Sequence, residues 1–500
     1  MFYRLKKNTV LRNDITRTVI YFKEGHNEDN MNYNLDSYPV FNTLDPSTAI
    51  SFYLMDGSRT LTEIIDEVKH VFDEMPEEKV NAILKTIEKL QYYYEILPEK
   101  CKPIDWEPVK NILPDLNTVQ GYNMEVNQMN LPLSMLLIPT MDCVVDCAYC
   151  YADRKTPFIP MDYSIVEKIV LEAADVLKMR NITISGGDIF LYKEHEKLLR
   201  LLAAKGYFPE LPTKCPLSLN KLIFLKEIGF KSFQFSLDGF DADVIRRHFG
   251  LKDPESYINQ MILSIKNACD IGMKISINSV VSQCNYKQLE NFLTRIISID
   301  NVYRVNLSPV GYSLYKRETM SELMLNAKDF DFIKEHFENI FDKVKQKITF
   351  FKKPDASSYW GNKTNEITSN QYFERSLCSA FRFAMVVLPD GKVTGCEELY
   401  WHPDFIIGDL TKQSISEAWA TPKRKNIISP KQSDFSNDSP CFYCDEVNFN
   451  KCHSEKGRCW REILKFYDRH DFPDYRCPIS KEIANNKNLV LKTNSQIWDL

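Results

Sequence analysis

Thr140-Met141-Asp142-Cys143-Val144-Val145-Asp146-Cys147-Ala148-Tyr149-Cys150-Tyr151 places three cysteines in one short stretch, directly behind the apolar run 133–140. That run reads as a buried strand, and the loop after it lies where strand–helix barrels carry their catalytic groups. Three thiolates in one loop can hold three irons of a cubane cluster, leaving the fourth iron without a protein ligand. An open metal position is where a small molecule binds and reacts. Two plainer readings use the same residues. Positions i, i+4 and i+7 share a helix face on which three cysteines simply pack. A zinc ion is the other, but it needs a fourth ligand that this loop lacks.

Outward from this loop, β-rich runs at 133–140, 181–185, 211–214, 231–237, 273–281 and 303–309 alternate with helical patterns at 163–178, 193–204, 218–228, 255–271, 286–297 and 327–346. Such alternation predicts parallel βαβ units with right-handed crossovers. Six units predict an α/β fold built on a partial (β/α)6 barrel over 131–346. The second strand ends in Ser185-Gly186-Gly187-Asp188. Paired glycines let backbone approach a ligand, and the acid can bind an ammonium group; alone, the triplet is more often an ordinary turn. The fourth strand ends Phe235-Ser236-Leu237-Asp238-Gly239, and Asn278 and Ser308 fall on the fifth and sixth. Arg246-Arg247-His248-Phe249-Gly250 receives no role.

Seven more cysteines, Cys378, Cys396, Cys441, Cys444, Cys452, Cys459 and Cys477, lie in a region with few long periodic runs. Such a region is organised by metal rather than by a large core. Cys101, Cys215, Cys269 and Cys284 are scattered and read as packing residues. The start, Met1-Phe2-Tyr3-Arg4-Leu5-Lys6-Lys7, has no apolar signal segment behind it, and no run reaches membrane-spanning length. The expectation is a cytoplasmic protein away from membranes, where cysteines serve metals more than disulfides. A net charge of -5 argues against a general nucleic-acid binder. Length alone suggests about three domains.

Residues 1–97 combine two strand-like stretches (2–11 and 17–22), three amphipathic helical patterns and a closing strand at 94–97, the pattern of a winged helix-turn-helix. Its third helix, Glu77-Glu78-Lys79-Val80-Asn81-Ala82-Ile83-Leu84-Lys85, has nearly cancelling charges, unlike a helix built to meet phosphates. Residues 98–130 are proline-punctuated and read as a linker, 347–480 as a bridging region with the cysteine-rich module, and 481–500 as a polar tail.

The spacing Cys143-x3-Cys147-x2-Cys150, with aromatic Tyr149 before the last cysteine, resembles the radical SAM signature. Gly-Gly-Asp resembles that family's Gly-Gly-Glu with Asp188 in place of Glu, and Ser236-Leu237-Asp238-Gly239 resembles the SPASM-containing relatives. The seven later cysteines resemble the SPASM pattern, with longer gaps before Cys452 and Cys459. Residues 1–97 resemble a RiPP recognition element, notably in Phe41-Asn42-Thr43-Leu44-Asp45-Pro46-Ser47-Thr48-Ala49 and Asp56-Gly57-Ser58-Arg59-Thr60-Leu61.

These resemblances imply three 4Fe-4S clusters and S-adenosyl-L-methionine. Cys143, Cys147 and Cys150 hold the catalytic cluster, and Tyr149, Ser185, Gly186, Gly187, Asp188, Ser236 and Asn278 surround the cofactor. Cys441, Cys444, Cys452 and Cys477 hold one auxiliary cluster. Cys378, Cys396 and Cys459 hold the other, with one iron lacking a cysteine. They imply a flavodoxin- or ferredoxin-like electron donor, a precursor peptide whose leader binds residues 1–97, and a 5′-deoxyadenosyl radical that removes hydrogen from that peptide. The incomplete set points to a thioether crosslink, with Glu397 or Glu398 as proton acceptor. Carbon–carbon crosslinking, epimerisation and a sulfatase-maturase-like activity are the enzyme alternatives. A zinc-stabilised DNA-binding regulator is the non-enzyme one.

Overall fold

The computed structural model describes residues 1–23, 40–72, 75–103, 111–115, 127–316, 320–344, 348–350 and 372–491. Parts of the expected linker, most of the bridging region and the tail beyond 491 lie outside the described residues.

The six expected strands form. They are β6 (Ser134–Leu137), β7 (Asn181–Ile184), β8 (Pro212–Thr213), β9 (Ser232–Ser236), β10 (Lys274–Val281) and β11 (Val302–Pro309), numbered after five strands of the N-terminal module. β12 (Ile348–Phe350) joins β11 in parallel. The barrel wall consists of two sheets. One runs β12-β11-β10-β9-β8, all parallel. The other pairs β7 with β6 and then continues into the cysteine-rich module. There β13 (Ala384–Val387) lies parallel to β6, and β14 (Lys392–Thr394) and β15 (Gly408–Asp409) add antiparallel. The two modules thus share one sheet. Helices such as Tyr163–Leu171, His195–Ala204 and Pro254–Asp270 cover the outside, burying Val166, Leu199 and Ile265 on a common core.

The helix that follows β9 was not expected. Ala242–Phe249 is capped at its start by Asp241, whose carboxylate accepts from the amides of Asp243 and Val244, and is ended by Gly250 at φ 67°. A residue with a side chain is strained in that left-handed conformation, so glycine suits the stop.

The N-terminal module differs in detail from the expected pattern. The stretch 2–11 divides into β1 (Phe2–Leu5) and β2 (Thr9–Asn13), which enter different sheets. β1 pairs with β5 (Tyr94–Leu97), while β2, β3 (Thr18–Phe22) and β4 (Asn42–Leu44) form an antiparallel sheet. Three helices, Pro46–Tyr53, Leu61–Val71 and Glu77–Lys89, pack on a shared core with Phe52, Ile64 and Ile83. Asp45 caps the first, and a Thr60–Glu63 capping box opens the second.

This module is bolted to the barrel by buried polar groups. Arg12 donates to the carbonyls of Pro132 at 3.0 Å and Leu177 at 2.7 Å. Asp14 accepts from the amides of Asn130 (3.2 Å) and Leu131 (2.8 Å) and pairs with buried Arg17 at 3.0 Å. Beyond the seventh late cysteine the expected tail contains a helix, Ser480–Lys487, seated by buried Ser480 and Ala484. Removing one partner of a buried ion pair leaves an uncompensated charge, at about 3–5 kcal/mol. Asp14→Ala should therefore lose stability by that amount in urea denaturation; a change below about 1 kcal/mol would show the pair to be dispensable.

Candidate active site

The loop after β6 is held from three sides. Gly187 N donates to Thr140 O at 2.8 Å and Asp188 N to Asp142 O at 2.7 Å. Asp146 N and Ala148 N bond the carbonyls of Phe249 (3.0 Å) and His248 (2.8 Å), and Ser313 Oγ donates to Cys150 O at 2.8 Å. The glycines are required here. A Cβ on Gly187 would overlap Asp142 O, and one on Gly186, at φ 103°, would overlap the Ile138 side chain.

The gripped loop forms one wall of a cavity of about 610 Å³, which Cys143, Cys147, Tyr149 and Cys150 line together with Ser185, Gly186, Gly187, Asp188, Ser236 and Asn278. Every expected cofactor-side residue is thus brought to one space, with Ser308 among them. Burial pushes the Cys143 thiol up to about 11 and Cys147 up to about 12. Thiols so buried favour ionisation only against a cation or metal.

Asp188 is not free to turn to a ligand. Its carboxylate accepts from Thr213 Oγ1 at 2.6 Å, from the amides of Lys214 and Cys215 at 3.1 and 3.2 Å, and from Phe190 N at 3.2 Å. It ties the end of β7 to the end of β8. Glu397 is likewise engaged, by Tyr151 OH at 3.0 Å and Ser185 Oγ at 2.9 Å. The acid that the SPASM side brings to the cavity wall is Glu398, paired with Arg461 and, at 2.8 Å, with Lys465. Burial raises the Glu398 pKa against those cations.

Three residues escaped the sequence reading. Lys214, at the end of β8, lines the cavity with its Nζ 5.8 Å from the Tyr149 ring. Asp238 and His248 are buried beneath Tyr149. The Tyr149 hydroxyl bonds Asp238, the His248 Nδ1 lies 2.8 Å from Asp238 Oδ2, and its Nε2 lies 2.7 Å from Ser282 Oγ. The Asp241 cap and the Gly250 stop were the available signal for the helix that carries His248.

The later cysteines sort into two neighbourhoods. Cys441, Cys444, Cys452 and Cys477 lie close enough for their charges to act on one another. Cys378 acts in the same way on Cys396 and Cys459. Around them stand cations whose bonds go to backbone carbonyls. Arg458, 3% exposed, donates to Phe472 O and His470 O, and Arg382 to Asn127 O, Ile428 O and His453 O. Arg375 donates to the Cys452 sulfur at 3.4 Å, and Tyr372 OH lies 3.2 Å from it. Buried guanidiniums need counter-charge, which an anionic cluster provides. Among the described residues no three His, Cys, Asp or Glu side chains converge tightly enough for a single metal ion.

Residues 137–296 match the radical SAM superfamily model, and residues 378–445 match the SPASM iron–sulfur cluster-binding domain. The chain carries a radical SAM domain and a SPASM domain. Iron–sulfur clusters and S-adenosylmethionine are the cofactors of these domains, and the grouped thiols beside buried guanidiniums fit them. The sporulation killing factor maturation protein SkfB of Bacillus subtilis is 22% identical over 297 residues, 57% of this chain and 64% of that protein. The match therefore spans less than two thirds of that relative. Streptococcus suis SuiB bound to S-adenosylmethionine superposes with a TM-score of 0.63 at 15% identity, covering 95% of this chain and 99% of that one. SuiB bound to precursor peptide SuiA gives 0.62 at 15% identity, covering 95% and 100%. These likenesses establish the fold. Among the described residues no helix is long and apolar enough to cross a membrane.

Burial alone would lower the His248 pKa, but the Asp238 bond overrides it and raises the value from 6.5 to about 9. A raised histidine pKa stabilises fully below the unfolded value and loses that contribution as pH climbs through the folded one. Stability of the protein should fall by about 3 kcal/mol between pH 6.5 and pH 9.5, and His248→Gln should flatten that slope. Equal slopes in the two proteins would remove the imidazolium from the account.

Proposed function

We propose that this chain is a maturase of ribosomally made peptides that oxidatively joins two side chains of its substrate. The observation carrying this reading is the cavity itself, whose walls come from the three-thiol loop on one side and from Glu398, Arg461 and Lys465 of the SPASM module on the other. It is open enough to admit a side chain on a peptide backbone. The match to SkfB and the likeness to the SuiB–SuiA complex support a peptide substrate. So does the N-terminal module, where a leader adds as a strand at a sheet edge and raises the core peptide's local concentration.

Cys143, Cys147 and Cys150 hold the catalytic cluster, and Cys441, Cys444, Cys452 and Cys477 hold one auxiliary cluster. Cys378, Cys396 and Cys459 hold the third, and a flavodoxin- or ferredoxin-like protein delivers electrons. When bound, the catalytic cluster and S-adenosylmethionine supply one-electron chemistry that removes hydrogen from an unactivated carbon. Ser236, Asn278, Tyr149 and the Gly186–Gly187 backbone position the cofactor. Asp188 acts on it by fixing the strand end, and Lys214 balances the anionic thiolates. Glu398 receives the proton released as the new bond forms.

The thioether expected from the sequence needs a substrate sulfur to reach the three-cysteine set. Cys378, Cys396 and Cys459 do not line the cavity, and Glu398, Arg461 and Lys465 are what the SPASM module presents there. This favours a carbon–carbon bond over the thioether.

Anaerobic co-expression with a short peptide encoded beside the gene, followed by mass measurement before and after cysteine alkylation, tests the reading. Loss of two hydrogens with every cysteine still alkylated is the expected outcome. A protected cysteine would restore the thioether, and an unchanged mass would remove crosslinking. Deleting the leader from the precursor peptide should lower kcat/KM by at least about a hundredfold; an unchanged value would place recognition elsewhere than residues 1–97.

A further inference from the structure

Cys378, Cys396 and Cys459 form a set one thiol short of the four that gather around Cys441. A neighbouring turn provides a side chain for the missing position. Lys451–Lys456 is a π-helical turn, a geometry frequent at functional sites. It turns Cys452 and His453 inward together, at 7% and 4% exposure.

The turn ends against Cys378, one member of the three-cysteine set. Cys378 N donates to Lys456 O at 3.3 Å, and a Cβ placed on Gly457 would stand 3.5 Å from the Cys378 Cβ. His453 and Cys378 accordingly line one small cavity, with Arg382 and Arg458. The imidazole cannot swing to solvent, because it stacks on Phe449 at 4.1 Å and meets the edge of Phe435 at 5.0 Å. Its Nδ1 is buried and has no hydrogen-bond partner among the described residues. Buried polar atoms are almost always bonded, and an orphan calls for a missing partner. Imidazole nitrogen is a ready ligand for iron and replaces cysteine in some iron–sulfur centres, where it raises the potential. The carboxylates nearest Cys396 and Cys459, Glu398 and Glu462, are already paired with Lys465 and Arg461.

We propose that His453, through Nδ1, is the fourth protein ligand of the cluster on Cys378, Cys396 and Cys459. The inference rests on the reading that those three thiols hold a cluster. It closes the iron that a substrate sulfur would otherwise take, and it makes this cluster easier to reduce than an all-cysteine one.

The test uses the full chain with Cys143, Cys147 and Cys150 replaced by alanine, reconstituted with iron and sulfide so that only auxiliary clusters remain. Pulsed electron paramagnetic resonance of the chemically reduced protein should show the strong nitrogen coupling of a directly bound imidazole. His453→Ala and His453→Gln should both abolish it; the glutamine variant keeps bulk and polarity, so ligand loss is separated from unfolding. Coupling that persists in both variants, or that is absent from the parent, overturns the proposal. Iron content checks the underlying reading independently. Cys378→Ala and Cys396→Ala should each lose iron, and unchanged iron in both would overturn the cluster assignment and the inference with it.

Discussion

The rest of the structure depends on how β6 is paired. It is hydrogen-bonded to β7 on one side and to β13 on the other, both parallel, in the register Leu137 with Ile184 and with Val387. Because the strands point the same way, the loop of Cys143 to Cys150 and the turn Ser185 to Asp188 leave at one end of the sheet. The chain after β14 brings Glu397 back to bond Ser185 and Tyr151 at that same mouth. A one-residue slip in either pairing would turn every side chain of the strand to the opposite face. The three-cysteine loop and the first residues of the SPASM module are therefore placed by one register. The SPASM module is a continuation of the barrel sheet, and its groups meet the cavity without a flexible joint.

The layers that follow from periodicity and cysteine spacing were legible. The barrel strands, their helices and the gathering of Cys143, Cys147 and Cys150 with Ser185, Gly186, Gly187, Ser236 and Asn278 are local patterns repeated along the chain. What was not legible depends on which partner a polar group finds. Asp188 reads as an acid beside a glycine pair, but its oxygens meet Thr213 and the amides after β8, 25 or more residues away. Glu397 and Glu398 are adjacent and chemically alike, yet a 3₁₀ turn sends one to Tyr151 and the other to Arg461. His248 and Asp238 become a pair only because the helix Ala242–Phe249 folds under the loop, and its caps were visible before its role was.

The same distinction governs the N-terminal module. Its helices announced themselves through caps and apolar spacing, whereas the split of 2–11 into two sheets is decided by pairing across the module. β1 finds β5 some ninety positions on, a contact that local propensity does not encode.

The wall facing the catalytic loop carries the last consequence. The helix Trp460–Tyr467 begins immediately after Cys459, which occupies its N-cap position. From its first turns it sends Arg461 and Lys465 to Glu398, itself two residues beyond Cys396. Charges this well buried attract strongly but are costly to desolvate, so their net value depends on close geometry. That geometry is set at both ends by cysteines of the three-thiol set. On the proposed assignment, a cluster bound there fixes where the helix starts and where the Glu398 turn lies. It thereby fixes the ionic wall of the substrate cavity, so an auxiliary cluster that never touches the peptide still shapes the surface the peptide meets.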